Sequence, residues 1–193
     1  MKLRLRGARK SNLTIGAIIA LMAIWFAVFQ SADAYAATAK EIDGSVDVAL
    51  ENFHNNVKGG KEFLKVAQGV LVFPSVYKAG IGIGGEYGEG ALRIGGKTVD
   101  YYNTAAASIG FQLGAQKKTV ILVFMQQEAL KKFRASSGWE AGVDGSVALI
   151  TVGVDGSIDT TKIKDPIVGF VFGQKGLMYN LTLEGSKYTK LKK

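Results

Sequence analysis

Gly69–Gly90 reads GVLVFPSVYKAGIGIGGEYGEG. An apolar run gives way to alternating glycines, with almost no reactive side chain among them. Glycines at Gly80, Gly82 and Gly84 leave one face of a strand bare, so a helix, another backbone or a ligand tail can approach closely. The stretch therefore predicts strands whose backbones lie against something near, and not a catalytic loop. Gly80–Gly85 also satisfies G-x-G-x-x-G, but the dinucleotide mechanism needs that loop to open a helix whose amides hold a pyrophosphate. The next residues are Glu86-Tyr87-Gly88-Glu89-Gly90, broken by glycine and acidic, so no cofactor is expected.

Upstream of this stretch the signals are helical. Thr38-x-x-Glu41 matches a capping box. Ile42, Val46, Ala49, Leu50, Phe53 and Val57 then recur at three- and four-residue spacing along one stripe. Gly59-Gly60 predicts the end of that helix, and a shorter helix over Lys61–Ala67 would bury Phe63, Leu64 and Ala67. Downstream the period changes to two. Ile109, Phe111, Leu113 and Ala115 alternate with smaller or polar residues, as do Leu177, Tyr179, Leu181 and Leu183. The runs TVILVFM (Thr119–Met125) and IVGFVF (Ile167–Phe172) are apolar throughout, which predicts strands covered on both faces. Gln126–Arg134 reads as an amphipathic helix with Ala129, Leu130 and Phe133 inward. GVDGS occurs at Gly142–Ser146 and again at Gly153–Ser157, predicting two successive hairpin turns. The expected architecture is α+β: N-terminal helices packed on a mostly antiparallel, strongly curved sheet or half-barrel.

Residues 1–36 read as an address. Lys2, Arg4, Arg6, Arg9 and Lys10 precede an uncharged run from Ser11 to Ala32, and small residues offer A-x-A sites at Ala32–Ala34 and Ala34–Ala36. That is the layout of a secretory signal peptide, and it predicts a periplasmic or otherwise extracytoplasmic protein with one domain over residues 37–193. The apolar segment Leu13–Phe29 is seventeen residues long, so an uncleaved anchor is the alternative. The chain has no cysteine, which leaves no thiol for lipidation and no disulfide. It carries 24 basic and 16 acidic residues; loss of the leader leaves 19 against 15, a net of +4. A surplus of that size suits weak attraction to an anionic surface. No nucleic-acid-binding motif accompanies it.

Conventional chemistry finds little support. Ser108 sits in Ala106-Ala107-Ser108-Ile109-Gly110, but strand alternation runs through it and the sole histidine, His54, lies upstream, against the order a nucleophile elbow requires. Asp47, Glu51 and His54 share a helix face, yet carboxylates early in a helix are explained by the macrodipole, so no metal is expected. Glu86 and Glu89 read as solvated acids in a glycine-rich loop. The constellation left is basic. Lys117 and Lys118 are expected at a turn between two strands, and Lys131, Lys132 and Arg134 on the outward side of the Gln126–Arg134 helix. Near an anionic membrane each lysine contributes about 1 kcal/mol.

The stretch quoted first, together with SGWEAGVDGSVAL (Ser137–Leu149) and DPIVGFVFGQKGLMYNLTLEGS (Asp165–Ser186), resembles the SYLF domain family, with Leu183-Glu184-Gly185-Ser186 similar to its terminal strand signature. The resemblance spans roughly Ala39 to Lys190. Eukaryotic members bind phosphoinositide lipids and, in yeast, actin; their lipid binding is associated with basic surface residues and an amphipathic N-terminal helix. Here that helix would be Ala39–Lys58, whose polar face carries Glu41, Asp43, Asp47 and Glu51 and would be repelled by anionic headgroups. The resemblance thus implies a non-enzymatic domain that attaches to anionic phospholipid or a membrane surface, with the later basic residues as the contact. The competing implication is an envelope interaction module that docks a protein partner through its glycine-faced sheet.

Overall fold

The structure is a computed structural model that describes residues 37–152, 156, 158, 164–176 and 183–193. Residues 1–36, read above as a secretory leader, therefore lie outside the described residues, as do most of the second GVDGS and the alternating run from Leu177 to Thr182. Two strands dominate: β1 (Gly69–Ile94) and β2 (Lys97–Phe124). They form an antiparallel hairpin paired from Gly69↔Phe124 to Ile94↔Lys97. Gly95 and Gly96 close it, both at positive φ (57° and 79°), which the twist of a two-residue hairpin turn requires.

A straight strand of 26 residues would reach about 86 Å at about 3.3 Å per residue. A domain of this size has a radius of gyration near 15 Å. The hairpin must bend, and the register shows where: it shifts between Phe73 and Val76, between Ile81 and Ile83, and between Leu92 and Arg93. At the first shift Thr119 donates its hydroxyl to the Pro74 carbonyl at 3.0 Å; a proline is tolerated at such a bulge because it has no ladder N–H to lose. Around the second shift β1 doubles back on itself. A Cβ on Gly80 would lie 2.3 Å from the Gly84 Cα, one on Gly88 2.7 Å from the Ser75 oxygen, and one on Gly90 2.1 Å from the Val72 oxygen. The glycines let the two arms of one strand meet backbone to backbone.

β2 is central to a six-stranded sheet of order β3-β6-β2-β5-β4, with β1 also paired to β2. Here β3 is Trp139–Glu140, β4 Ala148–Thr151, β5 Ile167–Gly176 and β6 Lys187–Leu191. β6 joins β2 over Tyr101–Ala105 and β5 joins it over Gln116–Phe124. Only the β4–β5 pairing is parallel among these named strands. The result is the expected α+β, mostly antiparallel, strongly curved half-barrel.

Both faces of the sheet are covered, as the unbroken apolar runs predict. On one face Val72, Ile121, Val123, Val168 and Phe170 meet α1 (Ala39–Asn56) and α2 (Gly60–Lys65). Phe53 of α1 packs edge-on to Phe170 at 4.9 Å. On the other face Phe73, Leu122 and Phe124 meet α3 (Gln127–Ala135), whose Phe133 stacks within 5.0 Å of Phe124 and Tyr102. The capping box forms in full: the Glu41 amide donates to Thr38 Oγ1 at 3.3 Å, and the Thr38 amide donates to the Glu41 carboxylate at 2.7 Å. The polar side of α1 is tied down too. Asp43 accepts from Thr98 and Tyr101 at 2.7 and 2.8 Å, and Asp47 pairs with Arg93 at 2.9 Å. At the far end of the chain Lys193 Nζ donates to the Ala37 carbonyl at 2.6 Å.

Three expectations need correction. The strands over Ile109–Ala115 and Thr119–Met125 are one strand, so Lys117 and Lys118 lie within β2 and not at a turn. Gly59 does not end α1, which stops at Asn56; it caps the start of α2 with φ 73°. The first GVDGS does turn, with the Asp144 carboxylate accepting from the Glu140 amide at 2.7 Å. It joins strands that pair with different partners, β3 with β6 and β4 with β5, so it is no hairpin.

Candidate functional site

The helix α3 is short, and its sequence explains its orientation. Leu130 and Phe133 are buried, so Lys131, Lys132 and Arg134 are left outward. Glu128 in the first turn and Lys132 and Arg134 in the last complement the helix dipole. Arg134 Nε donates to Asp100 Oδ2 at 2.9 Å, and Lys190 from β6 reaches Oδ1 of the same carboxylate at 2.5 Å. Asp100 is buried, so it serves as a fixed anchor that holds two cations side by side. Lys131 has no ion pair with any described residue. A groove of about 350 Å³ results, floored by Ile94 and Leu130 and rimmed by Lys131, Arg134 and Lys190. Three cations around an apolar floor suit an anionic headgroup above a short run of hydrocarbon.

The five basic residues singled out from the sequence do not form one patch. Lys117 and Phe124, which packs under α3, are seven positions apart on β2, or roughly 23 Å at 3.3 Å per residue. Adjacent strand residues also point to opposite faces. Lys117 is exposed, with its ammonium 5.5 Å from the centre of the Tyr77 ring, where cation and ring attract. Lys118 points inward and is 1% exposed, ion-paired to Glu86 at 2.7 Å. It is therefore corrected from a surface candidate to an interior one. Lys190 counts among the tail lysines in the sequence, but its place beside α3 does not show there, because only the β2–β6 pairing brings it to Asp100.

Lys117 instead borders a second groove, of about 960 Å³, on the opposite face between α1 and the sheet, with Val48, Pro74, Val152 and Phe172 among its lining. The acids also depart from expectation. Glu86 is held between Lys78 at 3.3 Å and Lys118, and Glu89 accepts from Tyr87 at 2.9 Å and pairs with Lys193 at 3.0 Å. Neither is a solvated loop acid. The glycine motif Gly80–Gly85 lies inside β1 and opens no helix. At Gly80 the close neighbour is Gly84 of the same strand, with Gly82 between them. Ser108 lies within β2. Among the described residues no group of three or more His, Asp or Glu side chains is placed to hold a metal.

Two tyrosines close the interior beside α3. Burial pushes Tyr102 up to about 12, with Asp100 adding to the rise and Arg134 opposing it. Burial likewise raises Tyr188. Both stay neutral at physiological pH.

Residues 105–193 match the family model Ysc84, described as Las17-binding protein actin regulator. Comparison with curated proteins gives no match.

Proposed function

From the match of residues 105–193 to the SYLF (Ysc84) family, which is associated with lipid and actin-regulator binding, we propose that this chain is a non-enzymatic protein of the bacterial envelope that attaches to anionic membrane surfaces. The carrying observation is the groove beside α3, where Lys131, Arg134 and Lys190 surround Ile94 and Leu130. Lys132 adds a fourth positive charge on the same helix. This replaces the five-residue patch: Lys118 leaves it, Lys190 enters, and Lys117 stands apart. The leader supports export, and export makes phospholipid headgroups the anionic layer at hand.

The competing reading, a protein partner docked on the glycine face at Gly80, Gly82 and Gly84, is less favoured because an added Cβ at Gly80 already meets Gly84 of the same strand. Sedimentation of residues 37–193 with vesicles tests the proposal. Binding is expected to anionic vesicles, to weaken with salt, and to be small on neutral vesicles. The K131E/K132E double variant is expected to bind at least tenfold more weakly, at about 1 kcal/mol per lysine removed and more for reversal. Equal binding to neutral and anionic vesicles, or an unaltered double variant, would overturn it.

A further inference from the structure

Among the described residues, the interior of the half-barrel sets two cations against one carboxylate. Lys78 is 3% exposed and Lys118 is 1% exposed, yet both pair with the single carboxylate of Glu86. No other acid pairs with either lysine among the described residues. Gln116, also 3% exposed, lies directly opposite Lys78 in the β1–β2 register and two residues from Lys118 on the same strand face. Among the described residues neither its amide nitrogen nor its amide oxygen has a hydrogen-bond partner, and the Lys118 ammonium meets Glu86 as an ion pair without hydrogen-bond geometry. Buried polar groups are nearly always satisfied, and a departure signals a ligand, water or ion that completes the set. A buried cation in excess of its counter-charge is costlier still.

We propose that Lys78, Lys118 and Gln116 form an internal binding site for a phosphate-class oxyanion, separate from the α3 groove and independent of the membrane reading. The chemistry matches part by part. Two ammonium groups supply charge and donors. Gln116 offers an NH2 donor group and a carbonyl acceptor side by side, which a partly protonated phosphate, bearing both oxygen acceptors and an O–H, can satisfy together. Glu86, the most exposed of the charged trio at 11%, holds the lysines in register and competes with the incoming anion for them.

The test is thermal unfolding of residues 37–193, the compact unit that contains both cores, in phosphate against chloride at equal ionic strength. A ligand that binds only the folded form raises its stability in proportion to occupancy. The midpoint is expected to rise with inorganic phosphate or, if the source is a lipid headgroup, with monomeric short-chain phosphatidic acid alone. Either response supports the site and identifies its source. Lys118→Met is expected to lose the response. Should that variant fail to fold, Gln116→Leu removes the two unpartnered atoms with little change in size; it is expected to fold and to lose the response too. Glu86→Gln is expected to bind about tenfold more tightly, since it removes the competing carboxylate. No midpoint change with either ligand, or an undiminished response in Gln116→Leu, would overturn the proposal.

Discussion

Lys117 and Lys118 are neighbours in sequence and end on opposite sides of a sheet. Reading them as a pair depends on a turn, which two polar cations interrupting an apolar pattern suggest. The strand instead runs on, and its two-residue period sends one ammonium to solvent and the other to Glu86. What decides the matter is a carboxylate 32 positions away, which only the folded hairpin brings near. Glycine was more legible, since its lack of a side chain signals close approach whatever the partner. The strongest case is Gly90, where a Cβ would stand 2.1 Å from the Val72 carbonyl oxygen. Gly90→Ala is therefore expected to lower stability by roughly 3 kcal/mol or more, read as a reduced urea midpoint; a change under about 0.5 kcal/mol, the scale of a neutral surface substitution, would show that the arms of β1 do not touch. Tyr102 yields a pH test. Its hydroxyl ionises near 10 in the unfolded chain and near 12 in the folded one, so the unfolded state loses its proton first. The stabilisation is whole below pH 10 and disappears as pH climbs to 12, on the order of 2 kcal/mol. Urea midpoints of Tyr102→Phe are expected to fall less steeply over that interval than those of the parent.

Helices were the most legible elements, because their signals are local. The Thr38–Glu41 box, the apolar stripe of α1 and the inward pair Leu130 and Phe133 all appear where spacing places them. The boundary at Gly59 was misplaced because a left-handed glycine serves either end of a helix, and only neighbouring backbone tells which. Gly44 gives a contrast to Gly90. It sits within α1 with nothing inside 4 Å of an added Cβ, so Gly44→Ala is expected to stabilise by about 0.5–1 kcal/mol, read as a higher urea midpoint. Strand content was legible and strand count was not. β1 and β2 change direction through bulges and glycines, which leave no polar loop for a sequence pattern to mark. The pairing of β6 with the first half of β2, which delivers Lys190 to α3, joins residues about ninety apart and carries no local trace.

At the scale of the molecule, the matched family region and the folded unit differ. The match begins at Ala105, inside β2, whereas the compact unit is Ala37–Lys193. Val72, Ala91 and the α1 stripe cover Ile121, Val123 and Phe170, and none of those covering residues falls in the matched region. A fragment of residues 105–193 is thus expected to stay unfolded or aggregate, while residues 37–193 unfold cooperatively, which circular dichroism during heating would separate. The same unit closes on itself where Lys193 bonds to Ala37. Its two ends lie one lysine side chain apart, so a linker of a few residues could join them and the chain could be reopened at Gly95-Gly96. Such a circular permutant would keep every strand pairing while turning the most local contact of the fold, the β1–β2 closure, into its most distant one.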